Sequence, residues 1–353
     1  MTLLRDFYRG KRVLVTGHTG FKGSWLCEIL KSMDAEVIGY ALEPPTEPSL
    51  FEIGNISDGM TSVIGDIRDL FSLKKVFEMY QPEIVIHMAA QPIVRESYLR
   101  PVDTYEVNVM GTVNLLECIR LSTSVKSVVN VTTDKVYRNK EWDWGYREND
   151  VLDGFDPYSN SKSCSELVTG SYIRSFFAER NCSISTARAG NVIGGGDFAK
   201  DRIIPDCARA VMVNQEIVVR NPYAIRPYQL VLEPLFAYLL IAMKQYAHKE
   251  YQGNYNIGPG EYDCVTTGKL VEMFCELWGE QASWREEYQG GPHEAKILKL
   301  DCSYFRNRFH WKAETDIQYA LEETVTWYKA YAKGKDVSKV MQEQIRKYKM
   351  KSE

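Results

Sequence analysis

Three things are missing from this 353-residue sequence. No apolar run approaches the roughly 20 residues that a membrane-spanning helix needs, so no membrane partner is expected. No block of lysine and arginine breaks a balance that ends at a formal charge of −4, which argues against a nucleic-acid partner. The eight cysteines (Cys27, Cys118, Cys164, Cys182, Cys207, Cys264, Cys275 and Cys302) show no C-x-x-C spacing, and the five histidines never pair at i, i+4. Neither a disulfide framework nor a zinc site is therefore expected, and no metal is assigned. Scattered thiols suit a reducing compartment. The stretch MTLLRDFYRGKRVLVTG has charges where a signal peptide keeps an apolar core. A cytoplasmic location is the expectation.

What is present is alternation. Short apolar runs (RVLVTG, AEVIGY, TSVIGD, EIVIHMAA, KSVVNVTT and SISTARAGNV) are separated by stretches with helical periodicity. FKGSWLCEILKSM places Trp25, Leu26, Ile29 and Leu30 on one face, and LFSLKKVFEMY does the same with Leu70, Leu73, Phe77 and Tyr80. Two longer helices are read in TYEVNVMGTVNLLECIRL and PYSNSKSCSELVTGSYIRSFFAER, the second opened by a proline in its first turn. Strands alternating with helices predict an α/β fold with a parallel sheet covered on both faces. Beyond about residue 190 the pattern loosens into a glycine-rich loop, a short strand EIVVR and four helices. The expected architecture is a Rossmann-type doubly wound sheet over 8–190, with a smaller, mostly helical C-terminal substrate lobe over 191–335, interleaved with it. The charged segment 336–353 is expected to fray.

VTGHTGFKG spaces Gly17, Gly20 and Gly23 as G-x-x-G-x-x-G between a strand and a helix. Small residues there let backbone approach a pyrophosphate at a helix N-terminus. Asp66, closing the third strand, is placed to accept from an adenine amino group or to cap the following helix. The second strand ends GYALEPP, with neither an acid at its tip nor a base for a 2′-phosphate, and Glu43 lies just beyond. NAD is favoured over NADP, with His18 and Lys22 in the glycine loop leaving the question open.

The chemical end is VTTDKVYRNK followed by PYSNSK. Tyr158 and Lys162 stand four apart on one helical face. A phenol of pKa about 10 becomes a usable base when an ammonium stabilises its phenolate. Thr133, 25 positions earlier, is placed to orient a substrate hydroxyl. With GHTGFKGSW, HMAAQPIVRESY, NKEWDWGYREND, ARAGNVIGGGDFAKDRIIPD, RNPYAIRPYQLVLEPL and PHEAKILKLDCS, the chain resembles the extended short-chain dehydrogenase/reductases. Within them it is most similar to the sugar-nucleotide 4,6-dehydratases, in the group acting on CDP-glucose.

That resemblance implies a substrate, CDP-glucose, and a route: oxidation at C4, loss of water across C5–C6, and return of hydride to C6. Tyr158 would take the 4-hydroxyl proton, Lys162 would tune it and hold the nicotinamide ribose, and Asp134 would protonate the leaving 6-hydroxyl. Lys135 stands where the dTDP-glucose enzymes carry the glutamate that removes the C5 proton. It is the candidate base, or else a partner of Asp134 or of the substrate phosphate. The resemblance extends the NAD surface to Thr19, Phe21, Lys22, Ile67, Ala89, Ala90, Gln91, Asn108 and Thr132, beside Tyr158 and Lys162. It points to Asn191, Arg202, Arg226 and, more weakly, His293 for the substrate. It also implies a homodimer, or a tetramer, formed through the two long helices, and a role in deoxysugar synthesis for lipopolysaccharide O-antigen. One departure is RPYQLV, with Tyr228 and Leu230 where the CDP-glucose group usually reads tryptophan and histidine. A sugar-nucleotide 4-epimerase, sharing Tyr158, Lys162 and the glycine loop, is the alternative, as is a dehydratase for another nucleotide-hexose.

Overall fold

A computed structural model describes residues 2–279, 282–287 and 296–351. Seven strands form one sheet: β1 (Arg12–Thr16), β2 (Glu36–Ala41), β3 (Thr61–Ile64), β4 (Ile84–His87), β5 (Ser127–Thr133), β6 (Ser183–Ala189) and β7 (Asn254–Ile257). Their order is β7-β6-β5-β4-β1-β2-β3, with every pairing parallel. Side chains alternate along each strand between two cores, as the two-residue period requires. Val13 and Val15, Ile84 and Ile86, and Val129 and Val131 enter one core, while Leu14, Val85 and Val128 enter the other. A sheet buried on both faces explains why its strands read as continuous apolar runs.

The strand order turns back between β1 and β4, where such sheets open a crevice beyond the carboxyl ends. Gly17 after β1, Ala89 after β4 and Thr133 at the end of β5 all line a cavity of about 1880 Å³ there. The other wall comes from the second half of the chain, including Asn191, Arg202 and Arg226. Helices Ile203–Met212, Leu232–Ala247, Thr267–Trp278 and Ile317–Ala332 build that half. Their apolar side chains join the same core as β1 and β4.

Two elements differ from the sequence expectation. The sheet has a seventh strand, Asn254–Ile257, from the second half of the chain. Its four residues are half polar, so no apolar run announced it, yet Tyr255 and Ile257 are fully buried. The tail is also not frayed: Val337–Lys351 is a helix. It buries Val337, Met341, Ile345 and Tyr348, and Tyr348 stacks on Phe236 with ring centroids 4.8 Å apart. Its high charge hid an apolar stripe at i, i+4, i+8 and i+11, which is enough for docking.

Candidate active site

The turn after β1 is shaped by glycine. Gly17 adopts φ +77°, and a Cβ there would come within 2.8 Å of the Ala89 backbone nitrogen. A Cβ on Gly23 would meet the Gly17 carbonyl at 2.1 Å, whereas one on Gly20 would find nothing closer than 3.5 Å. Gly20 therefore keeps bare backbone toward the cavity. The helix Phe21–Lys31 starts there with no side chain capping it, leaving its first N–H donors for an anion. A dinucleotide pyrophosphate fits this cradle. Thr19, Phe21, Lys22, Ile67, Ala89, Ala90 and Thr132 line the same cavity.

Of four neighbouring residues, three sit off the cavity wall and Asp66 lies on it. His18 turns away from the cavity and packs under Gly39, with Nε2 2.7 Å from Ser62 Oγ; burial lowers its pKa to about 4. Asp66 lines the cavity, but Arg68 engages both of its oxygens, at 2.7–3.1 Å. Asp69, not Asp66, caps the next helix, accepting from the Phe71 and Ser72 N–H groups. Asn108 and Gln91 are not cavity-lining residues. Asn108 accepts from Gln91 N and donates to Gln91 O and to Ser161 Oγ, so its amide is committed to tying the β4 loop to the Tyr158 helix. The Gln91 side chain is spent on Ile93 and Thr104.

Thr133 ends β5, and the chain then tightens into the single turn Asp134–Val136. Thr133 Oγ1 donates to Asp134 Oδ1 at 2.9 Å and also hydrogen-bonds Tyr158. Asp134 is buried, and its Oδ2 has no hydrogen-bond partner. Burial raises its pKa, against the pull of Lys135, Thr133 and Arg226, so the carboxyl is biased toward its protonated, proton-donating form. Tyr158 and Lys162 lie on the helix Pro157–Tyr172, capped by Asp156. Lys162 Nζ donates to the Val131 carbonyl at 3.2 Å, and burial lowers its pKa to about 8. The expected lowering of the Tyr158 pKa is reversed here. Burial lifts it to about 12, and the groups opposing that rise are Thr133 and Arg202.

Lys22 enters this centre as well. Its Nζ donates to Tyr238 Oη at 3.0 Å, and burial, with Lys162 and Arg202 nearby, brings its pKa down to about 7. Arg202 is held by Asp197 at 2.9 Å. Arg226 is buried, donates to the Ile225 carbonyl and acts electrostatically on Asp134. Cations thus ring the cavity on several sides, as a pyrophosphate-bearing substrate needs. Asn191 lines it beside Gly190. His293 lies outside the described residues. Tyr228 lines the cavity with its hydroxyl 3.1 Å from Thr267 Oγ1, whereas Leu230 points into the core beside Ile193.

A family model for GDP-mannose 4,6 dehydratase matches residues 14–324. The chain belongs to that family. Among its relatives is the CDP-glucose 4,6-dehydratase of Salmonella typhimurium, 50% identical over 339 residues and 94% of each chain. The dTDP-glucose 4,6-dehydratase of Haemophilus influenzae is 25% identical, covering 90% of this chain and 97% of the relative. Among solved structures, the dTDP-glucose 4,6-dehydratase of Bacillus anthracis in complex with NAD superimposes with a TM-score of 0.76 at 22% identity, over 92% of this chain and 99% of that one. The Thermus thermophilus UDP-glucose 4-epimerase complex with NAD gives 0.79 at 25% identity, over 90% and 99%.

The family's residues are spread over elements that only the fold brings together, and some partners carried no sequence signal. Tyr238, 216 positions from Lys22, and Asp197, the anchor of Arg202, could be found only from the structure. Glu166 could have been found, since it stands one helical turn beyond Lys162. Among the described residues, no group of three or more histidine, cysteine or acidic side chains could hold a metal ion, and no helix is long and apolar enough to cross a membrane.

Proposed function

We propose that this chain is a CDP-glucose 4,6-dehydratase that uses NAD. The observation carrying the reading is the run Thr133–Asp134–Lys135 at the end of β5. It sets a buried acid beside the hydroxyl that bonds Tyr158, and Lys135, whose charge acts on that acid, on the cavity wall. An epimerase needs only the tyrosine and lysine; expelling water needs the additional acid and base. The relative that is half identical over nearly the whole chain supports CDP-glucose as the substrate.

NAD, held over the Gly17–Gly20–Gly23 turn, would supply a hydride acceptor for C4 and a hydride donor for C6. Tyr158 takes the 4-hydroxyl proton, with Thr133 orienting that hydroxyl and Lys162 and Arg202 supplying positive charge near the phenolate. The 4-ketone acidifies C5–H. Lys135 takes that proton and returns it to C5 when hydride reaches C6, and Asp134 delivers its proton to the departing 6-hydroxyl, which leaves as water as the C6–O bond breaks. Arg202, Arg226 and Asn191 hold the nucleotide diphosphate. The enzyme acts as a homodimer in the cytoplasm, feeding deoxysugar synthesis. Exposed Val102, Met110 and Leu121 on one long helical stretch, with Leu167 and Phe176 on the other, support pairing with a second copy through that face.

Incubation with CDP-, dTDP-, GDP- and UDP-glucose tests this directly. A 4-keto product, seen by its ultraviolet absorbance in alkali, is expected from CDP-glucose. Conversion of UDP-glucose to UDP-galactose with no 4-keto species would sink the reading. Lys135→Ala should still exchange hydride between sugar and NAD while releasing no water product; unchanged turnover would remove Lys135 from the mechanism.

A further inference from the structure

We propose that Glu166 is a positioning residue for Lys162, holding its ammonium in place and charged from a buried network that ties the catalytic helix to β5 and β6. Both residues lie on the helix Pro157–Tyr172, four positions apart. The Glu166 carboxylate is 2% exposed and accepts four hydrogen bonds: from Thr132 Oγ1 at 2.5 Å, Thr186 Oγ1 at 2.7 Å, Arg188 Nε at 2.9 Å and Arg188 Nη2 at 2.8 Å. The helix is thereby fastened to β5 at two points one turn apart. Lys162 grips the Val131 carbonyl, and Glu166 grips the next residue, Thr132.

The network continues outward. Arg188 Nη1 donates to Tyr137 Oη at 2.8 Å and to the Glu148 carbonyl at 3.0 Å, and Tyr137 Oη donates to Asn256 Oδ1 on β7 at 2.6 Å. Tyr137 lines the active cavity two residues after Lys135. One buried ion pair therefore locks together the strand that presents Asp134 and Lys135, the helix that presents Tyr158 and Lys162, and the far edge of the sheet.

The charges around Lys162 make the electrostatic role specific. From the glycine-loop helix it faces Lys22, and from β4 it faces His87, kept neutral by burial with a pKa of about 3. Asp134 and Arg202 act on Lys22 and Tyr158. Against the burial that weakens the Lys162 ammonium, Glu166 is the anion that supports it. Removing the Glu166 charge would take away that support and leave the Arg188 cation unmatched, and both changes disfavour a second positive charge nearby.

The consequence for turnover rests on the dehydratase reading; the primary test does not. Trace acetylation of the full-length protein with acetic anhydride, from about pH 6 to about pH 10 and read by peptide mass spectrometry, reports the Lys162 midpoint without substrate. The wild type should titrate near about 8. In Glu166→Gln the midpoint should fall by about one unit, a tenfold change in the protonation equilibrium. Thr186→Val, which removes only a neutral donor, should leave it in place. An unchanged midpoint in folded Glu166→Gln overturns the proposal. If that variant does not fold, Glu166→Gln combined with Arg188→Met removes the stranded cation. Its midpoint should also fall, by less, and an unchanged value overturns the proposal equally. The alkaline limb of dehydratase turnover should move with the midpoint. A shifted midpoint in a protein that does not turn over CDP-glucose would overturn the functional reading and leave the role of Glu166 standing.

Discussion

Asp134 and Glu166 are both buried carboxylates beside β5, and they could hardly be treated more differently. Asp134 has one hydrogen bond from Thr133, one oxygen without a partner, and a pKa raised by burial. Glu166 has four donors and a buried guanidinium at 2.8 Å. A buried polar group left short of partners is costly, and it persists where chemistry needs it. A group that is fully satisfied fixes geometry instead. Reactivity and rigidity are thus drawn from the same residue class on two neighbouring elements, and the difference is made by neighbours.

The comparison is most severely tested by Asp134→Asn. Loss of the proton donor should lower dehydratase kcat by roughly 10² to 10⁴, measured by 4-keto product formation. Stability at neutral pH should not fall. A carboxyl whose folded pKa is raised binds its proton more tightly in the native state, so ionisation above its unfolded value of 3.8 works against folding. Urea melts at pH 7 check this, and a marked loss of stability would show Asp134 to be structural.

Glu166→Ala should lower stability. Breaking one partner of a buried pair strands Arg188, at a cost of about 3–5 kcal/mol in denaturant-unfolding free energy. A cost under about 1 kcal/mol would mean that water repairs the network. A third change probes the helical face outside both carboxylates. Met110→Asp combined with Leu167→Asp should convert the proposed dimer to monomer in sedimentation experiments, with melting little affected because both side chains are exposed. A retained dimer would move the interface elsewhere.

The smallest effect concerns a third buried carboxylate, Glu233. It accepts from the Glu314 and Thr315 N–H groups, from the Thr315 hydroxyl and from Tyr348 on the C-terminal helix, yet among the described residues no cation bonds to it. Burial raises its pKa from 4.5 to about 7. The native state therefore holds the proton more tightly, and its contribution to stability is present below about pH 4.5 and drains away toward pH 7. Glu233→Gln should flatten that part of the stability–pH curve, read from melts at several pH values. A curve parallel to the wild type would show that neighbouring groups carry the slope. This carboxylate falls between the other two: well hydrogen-bonded like Glu166, but without a counter-charge, like a group free to titrate.

Much of this was readable before any coordinates. The six main strands, the glycine turn and the Tyr158–Lys162 helix each carry a local signal: an apolar run, a spacing, a cap. Thr133, Asp134 and Lys135 stood out as a polar run at the end of an apolar strand, but the roles given to Asp134 and Lys135 came from the resemblance. The seventh strand was not, because Asn254–Ile257 is short and half polar, and neither was the docking of the C-terminal helix, whose apolar stripe is diluted by charge. Asn108 and Gln91 were placed at the cofactor from resemblance. Their hydrogen bonds to each other and to the Tyr158 helix, set by the loop after β4, direct them elsewhere.

By itself, the sequence determined what local chemistry can encode: which segments are strand or helix, where glycine leaves the backbone bare, and which segment offers a hydroxyl, a carboxyl and an amine together. Tertiary structure alone decided how those groups behave. Burial lowers Lys162 toward pKa 8, lifts Tyr158 to about 12 and leaves one Asp134 oxygen without a partner. These values depend on desolvation and on charges distant in the chain, such as Arg202 and Arg226. No residue's own identity fixes how much water its neighbours will exclude, and that exclusion, with the partners present, separates a carboxyl biased to keep its proton from one held in an ion pair.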